Sequence, residues 1–238
     1  MDRLDDFLMT RPATAARPLL GMTVLVVDDS RYASEALRLL CLRSGARIRR
    51  ADSLYHARRH LRVYRPTAVI VDLGLPDGSG ADLISELARA QPRVEILLGT
   101  SGDPGAEAVA RAAGADGFLE KPIASLARFQ TALLAHVPRD QRPGGLRALA
   151  DETVAPDRIA FRDDLALAAD ILSGEDGGNT LDYVTQFLGG VSRSAGDTVL
   201  TEATTALLRS HKAGHAVRSD IARLAALVQD RLVASGPL

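Results

Sequence analysis

Short apolar runs alternate with amphipathic patterns over the first half of the chain. The runs are rich in β-branched residues and are bounded by Gly, Pro or Asp, which is typical of buried strands. They occur at Thr23–Val27, Ala68–Val71, Val94–Leu98 and Phe118–Leu119, with a weaker run at Ala46–Ala51. Between them, apolar residues recur at helical spacing, for example at Leu83, Ile84 and Leu87.

This alternation predicts an α/β fold over about residues 21–137. Strands that alternate with helices form parallel sheets with helices on both faces, so we expect a five-stranded doubly wound sheet of the flavodoxin-like type. Functional groups in such sheets gather at the carboxyl ends of the strands. Residues 1–20, which precede the first strand, are interpreted as an N-terminal extension.

The second half of the chain has a different pattern. Residues 138–156 contain three prolines and a Gly-Gly pair, which indicates a linker. Residues 157–238 then show helical periodicity and no strand signal, which predicts a small all-α bundle. The four predicted helices are Asp157–Ser173, Thr180–Ser194, Asp197–Lys212 and Ala216–Val233.

Composition narrows the class of protein. The chain has 238 residues, a formal net charge of −1 and one cysteine, which is typical of a globular protein of one or two domains and leaves no disulfide framework. No apolar run approaches the ~18 residues of a membrane span, and the first residues lack a secretory signal pattern. We therefore expect a cytoplasmic protein without membrane contact.

Cys41 shares an apolar helical face with Leu37 and Leu40, which favours a core thiol over a redox sensor.

The near-zero net charge hides two charged regions. Arg38–Arg65 contains nine arginines and one acidic residue, whereas residues 151–238 contain thirteen acidic and eight basic residues. We favour the interpretation of the arginine-rich stretch as a solvated face. A docking surface for an acidic partner is the second interpretation, and a nucleic-acid site is the third. The acidic tail could pair with this stretch within or between chains.

Polar residues stand at the predicted strand ends. Asp28 and Asp29 follow the first strand, Asp72 the third, Thr100 the fourth and Lys121 the fifth. Adjacent parallel strands would bring these ends into one cleft. Crowded carboxylates are costly, and a hard divalent cation such as Mg²⁺ relieves that cost. A carboxylate with a metal, a lysine and a hydroxyl can accept a phosphoryl group.

The segment from about residue 21 to residue 136 resembles the receiver domain of bacterial two-component response regulators. The matching motifs are VLVVDDS at 24–30, VIVDLGLPDGSG at 69–80, LLGTSG at 97–102 and GADGFLEKP at 114–122. They occur in the family's order and spacing over about half the chain.

The resemblance assigns a role to each residue of the cleft. It implies that Asp72 is the phosphoacceptor and that Lys121 contacts the phosphoryl oxygens. It implies that Mg²⁺ is bound by Asp28, Asp29, Asp72 and the backbone carbonyl of Gly74. Thr100 would swing toward the phosphate on activation, and Phe118 would be the aromatic switch residue.

The resemblance also implies partners and an output. A sensor histidine kinase or a phosphotransfer protein would phosphorylate the chain, which would be a signalling protein and not an enzyme. Gly74 and Gly102 offer no side chain to orient an attacking water, so we expect slow self-dephosphorylation. We expect the helical tail to form a homodimer or to bind a protein target. The alternatives are a DNA-binding transcriptional regulator, which the acidic tail disfavours, and a phosphorelay intermediate without its own output.

Overall fold

The computed structural model describes residues 13–143, 152–173 and 178–234. Its centre is a five-stranded parallel sheet, so the predicted α/β fold is confirmed. The sheet strands are β1 Thr23–Val27, β2 Arg47–Ala51, β3 Ala68–Asp72, β6 Ile96–Ser101 and β7 Gly117–Glu120. Their order in the sheet is β2-β1-β3-β6-β7. A short antiparallel hairpin, β4 Gly74–Leu75 with β5 Gly78–Ser79, follows β3 and was not predicted from the sequence.

Five helices cover the two faces of this sheet. They are α1 Arg31–Ser44, α2 Leu54–Val63, α3 Gly80–Arg89, α4 Ala106–Ala113 and α5 Leu126–Leu134. Helices α1 and α5 close one apolar core, and α2, α3 and α4 close the other. Cys41 is fully buried in the first core, as its position on the apolar face of α1 predicts.

The tail is helical throughout its described parts. Its helices are α6 Arg158–Ser173, α7 Gly178–Ala195, α8 Thr198–Lys212 and α9 Arg218–Ala234, within two residues of the predicted limits. They enclose a third apolar core around Leu165, Leu188 and Leu224. Asp197 caps α8 by accepting a hydrogen bond from the Leu200 amide at 3.0 Å.

The end of the predicted linker is packed against the sheet domain. Thr153 forms a β-bridge with Ser125, and the Val154 amide donates to the Ala124 carbonyl at 2.9 Å. Val154 is buried in the first core because its side chain is apolar and fills the space beside α5. Residues 144–151 of the linker lie outside the described parts. The tail is therefore attached to the sheet domain directly before α6.

Helices α6 and α7 pack against α1, and α7 also contacts β4. The rings of Tyr32 and Phe161 meet edge to face at 5.8 Å in this interface. The tail therefore lies beside the carboxyl ends of the strands. Within the described ranges, every helix is too short or too polar to span a bilayer.

Candidate functional site

Three aspartates meet where β1 and β3 end side by side. Asp28 and Asp29 directly follow β1, and Asp72 is the last residue of β3. Each offers a carboxylate oxygen within 4.8 Å of the others. Asp28 and Asp72 are buried, so water cannot fully screen the repulsion between them. The parallel pairing of β1 with β3 creates this cluster from residues more than forty positions apart.

Lys121 supplies the positive charge at the centre of the cluster. Its Nζ lies 2.8 Å from Asp28 Oδ2 and donates to Asp72 Oδ2 at 2.7 Å. Burial by itself lowers the pKa of Lys121, but Asp28 and Asp72 outweigh burial and raise the pKa above its ordinary value. The ammonium group is therefore charged, and it holds both carboxylates in place.

The three carboxylates together carry more negative charge than one lysine can offset. Burial, with Asp28 as a further cause, raises the pKa of Asp72 to about 6 although Lys121 opposes the shift. Burial followed by repulsion from Asp28 and Asp72 raises the pKa of Asp29 to about 8. A divalent cation would relieve this repulsion, and an all-oxygen donor set suits Mg²⁺. The residues therefore fit the expected metal, and the Gly74 amide beside Asp72 Oδ1, at 3.4 Å, places the Gly74 backbone at the same edge.

Thr100 and Phe118 lie on neighbouring strands and point away from the carboxylates. Thr100 pairs with Asp72 in the sheet, but its hydroxyl donates to the Leu119 carbonyl at 2.7 Å. The Phe118 ring packs over Gly99 in the second core. Thr100 would have to rotate its hydroxyl to reach a phosphoryl group on Asp72.

The start of α3 approaches Asp72 so closely that residue 80 must be glycine. A Cβ atom at Gly80 would lie 1.9 Å from the Asp72 carbonyl oxygen. The Gly80 amide donates to the Leu73 carbonyl at 3.1 Å, which fixes the loop after β3. The glycine therefore helps to hold the backbone that presents the Asp72 carboxylate.

Helix α7 of the tail reaches the same cleft. The Tyr183 hydroxyl donates to Asp29 Oδ2 at 2.5 Å. The Gln186 side chain donates from Nε2 to Asp103 Oδ2 at 2.8 Å, and Arg193 Nη2 lies 3.5 Å from Asp103 Oδ1. Tail side chains therefore contact both a candidate metal ligand and the loop after β6.

Helix α6 contacts the first turn of α1, directly after the acidic pair. Asp164 is buried and accepts hydrogen bonds from the Ser30 hydroxyl at 2.7 Å, the Arg31 amide at 2.8 Å and the Tyr32 amide at 3.0 Å. It thereby satisfies amides at the N-terminus of α1 that have no partner within the helix. Burial raises the pKa of Asp164, and these hydrogen bonds oppose the rise.

Sequence reasoning missed the contribution of the tail to this cleft. The available signal is a stripe on α7, since Tyr183, Gln186, Gly190 and Arg193 recur at helical spacing. Tyr183 packs against the tail core at one end of this stripe, and the other three residues are not part of that core. That stripe shows that a polar face with a glycine exists. It does not show what the face contacts.

Most described arginines of the arginine-rich stretch are exposed. Three of them, Arg49, Arg50 and Arg59, line a large cavity whose wall also includes Asp28 and Asp29. Some of them have acidic partners: Arg38 and Arg50 face Glu35, and Arg58 pairs with Glu86 at 3.0 Å. Among the described residues, an ion pair of Arg43 with Glu152 joins the stretch to the acidic tail region. The charge of Asp157 also acts on Arg38, so the expected pairing between the two charged regions is seen in part.

Residues 24–133 match the model of the response regulator receiver domain. The chain therefore contains a receiver domain of two-component response regulators, as its motifs predict. Such a domain is a phosphoacceptor signalling domain. The described part of the tail lies outside the matched residues.

Curated relatives and a solved structure are similar to about half of the chain. The chain is 33% identical over 134 residues to the KDP operon transcriptional regulatory protein KdpE of Escherichia coli, covering 55% of this chain and 59% of the relative. It is 32% identical over 139 residues to response regulator MprA of Mycobacterium avium, covering 57% and 61%. A putative response regulator from Chloroflexus aurantiacus is 29% identical, with a TM-score of 0.44 and coverage of 48% of this chain and 98% of that chain. The chain thus spans about three fifths of the length of these curated relatives.

Proposed function

We propose that this chain is a response regulator that accepts a phosphoryl group on Asp72 and transmits the change to its helical tail. The observation that carries the proposal is the geometry of Asp72, a buried carboxylate 2.7 Å from Lys121 Nζ with Asp28 and Asp29 within 4.8 Å. The phosphoryl donor would be the phosphohistidine of a sensor kinase or of a phosphotransfer protein.

Each residue of the cleft has a part in this transfer. The Asp72 carboxylate attacks phosphorus, so its O–P bond forms as the N–P bond to the donor histidine breaks. Lys121 offsets the negative charge of the phosphoryl oxygens. Asp28, Asp29, Asp72 and the Gly74 carbonyl would hold Mg²⁺, which supplies positive charge to the transferred group. Thr100 would turn its hydroxyl from the Leu119 carbonyl toward the phosphoryl group, and Phe118 would repack in response.

The first experiment is phosphorylation by acetyl phosphate with MgCl₂, followed by intact-mass and peptide mass spectrometry. We expect one phosphoryl group on the peptide that contains Asp72 and none in Asp72→Asn. Asp82→Asn is a matched control, because Asp82 is an exposed carboxylate in the first turn of α3. Full labelling of Asp72→Asn at another site would refute the assignment.

The tail has two candidate outputs. The first is the association of the tail with a protein target or with a second copy of the chain. The second is DNA binding, and the similarity to KdpE favours it because KdpE is a transcriptional regulatory protein. An exposed basic corner between α8 and α9 also supports DNA binding: Arg209, Lys212, His215 and Arg218 lie there together.

Salt dependence separates the two outputs. Binding to DNA would weaken steeply as salt rises, because basic side chains displace counterions from phosphates. We would measure fluorescence anisotropy of labelled duplexes, with Arg209→Ala and Lys212→Ala as the corner variants. Sedimentation of the phosphorylated and unphosphorylated chain tests the homodimer. Slow loss of the phosphoryl group is a further expectation, tested by following phosphate release from the phosphorylated chain.

A further inference from the structure

The tail fills the space around the phosphoacceptor. The cavity beside Asp72 and Lys121 has a volume of about 20 Å³, and α7 forms one of its walls. A single water needs ~10–15 Å³ of such volume, so the cavity has room for about one water. A phosphoryl group has three oxygens around phosphorus and is larger than a water molecule. The cavity at Asp72 is therefore too small to admit a phosphodonor in this arrangement. Asp28 and Asp29 also line a separate cavity of about 1300 Å³, but Asp72 and Lys121 do not.

Two glycines make room for the side chains that close it. A Cβ atom at Gly74 would lie 2.8 Å from Gln186 Nε2, and a Cβ atom at Gly102 would lie 2.7 Å from Arg193 Nη2. Gln186 and Arg193 therefore occupy the space that side chains at these two receiver positions would otherwise take. Both are held by Asp103, which lies one residue after Gly102.

Tyr183 engages the metal site itself. Its hydroxyl donates to Asp29, one of the residues that would hold Mg²⁺. A carboxylate oxygen that accepts this bond is less available to a cation. Docking of α7 and loading of the site therefore compete for the same carboxylate.

We propose that α7 is a lid on the phosphoacceptor site, held shut by Tyr183 on Asp29 and by Gln186 and Arg193 over Gly74 and Gly102. The proposal rests on the proposed function, because it takes Asp72 as the phosphoacceptor. The lid must leave before a donor reaches Asp72, and a phosphorylated site no longer accommodates it. Val154 is buried in the first core, and this contact keeps the tail attached to the sheet domain while α6 and α7 move.

The test compares rates of phosphorylation by acetyl phosphate in the full chain. The lid variant is Tyr183→Phe with Gln186→Ala. Its matched control is Tyr55→Phe with Gln229→Ala, because Tyr55 is 67% exposed and Gln229 is exposed on α9. We expect the lid variant to be phosphorylated roughly threefold faster or more, and the control to match the wild type.

The possible outcomes are distinct. Equal rates in the wild type, the control and the lid variant, with Asp72 phosphorylated in all three, would overturn the lid and leave the proposed function standing. Absence of phosphorylation on Asp72 in every chain would overturn the proposed function, and the lid with it. Tyr183→Phe alone keeps the ring stacked on Phe187 and replaces the double variant if that variant loses helicity.

Metal binding gives a second readout that does not depend on phosphorylation. We would titrate the wild type, Tyr183→Phe and Tyr55→Phe with Mn²⁺ and measure free Mn²⁺ by electron paramagnetic resonance. Loss of one hydrogen bond to the Asp29 carboxylate is expected to tighten Mn²⁺ binding about tenfold in Tyr183→Phe. An unchanged affinity would contradict competition at Asp29.

Discussion

Removal of one buried carboxylate should stabilise the metal-free chain. In Asp72→Asn the side chain keeps its shape and loses its negative charge. The folded-state pKa of Asp72 is raised from the ordinary 3.8 to about 6, so the folded protein binds a proton at Asp72 more tightly than the unfolded chain does. The charged carboxylate therefore lowers the stability of the folded protein. This loss appears as the pH rises from the unfolded-state pKa of Asp72 to its folded-state pKa.

The size of the effect follows from the shift. About two pKa units at 1.36 kcal/mol each give roughly 3 kcal/mol. We expect Asp72→Asn to exceed the wild type in unfolding free energy by about this amount near pH 7 in EDTA, and the gain to vanish below about pH 4. Saturating MgCl₂ should shrink the gain, because the cation offsets the same repulsion.

The assay is urea unfolding followed by circular dichroism at a series of pH values. Asp170→Asn is the control, since Asp170 is an exposed aspartate on α6 and its replacement should change little. If Asp72→Asn is less stable than the wild type near pH 7, this prediction is wrong. That result would mean that the ion pair of Asp72 with Lys121 outweighs the cost of burial and the repulsion from Asp28.

Three further predictions concern the tail and the core. Asp164→Ala should lower stability by roughly 2–4 kcal/mol and make α6 sensitive to limited proteolysis, whereas Asp163→Ala, which removes an exposed ion pair, should cost under about 1 kcal/mol. Asp197→Ala should cost about 1–2 kcal/mol in thermal unfolding. Because the hydrogen bond from Arg231 lowers the pKa of Asp197, that cost should disappear as the pH falls below about 4. Burial raises the pKa of Cys41 to about 12, so a disulfide reagent should label it only after denaturant is added, and rapid labelling of the native chain would contradict the packing.

The fold was largely predictable because hydrophobic spacing is a local signal. The runs at Thr23–Val27 and Ala68–Val71 lie in the sheet almost residue for residue. The fourth strand begins two residues later than predicted, at Ile96, because Val94 is apolar and buried beside the second core without joining the sheet. The β4–β5 hairpin was missed because two-residue strands leave no periodicity to read.

The positions of the acidic residues were also predictable in part. Asp28 follows β1 and Asp72 ends β3, and the topology of a doubly wound fold brings the ends of such neighbouring strands together. The residues Tyr183 and Asp164 were not predictable as neighbours of the site. Their placement depends on how the tail docks on α1, and that docking is set by surface complementarity between distant segments.

The most direct test of coupling between the site and the tail measures whether the tail leaves the receiver domain when Asp72 carries a phosphoryl mimic. Spin labels at Arg111→Cys on α4 and Glu202→Cys on α8 lie on exposed positions of the two parts. Their distance would be measured by pulsed electron resonance with and without MgCl₂ and beryllofluoride, which mimics an aspartyl phosphate. We predict a longer distance on addition, and no change in the same chain carrying Asp72→Asn. An unchanged distance distribution in both chains would contradict release of the tail.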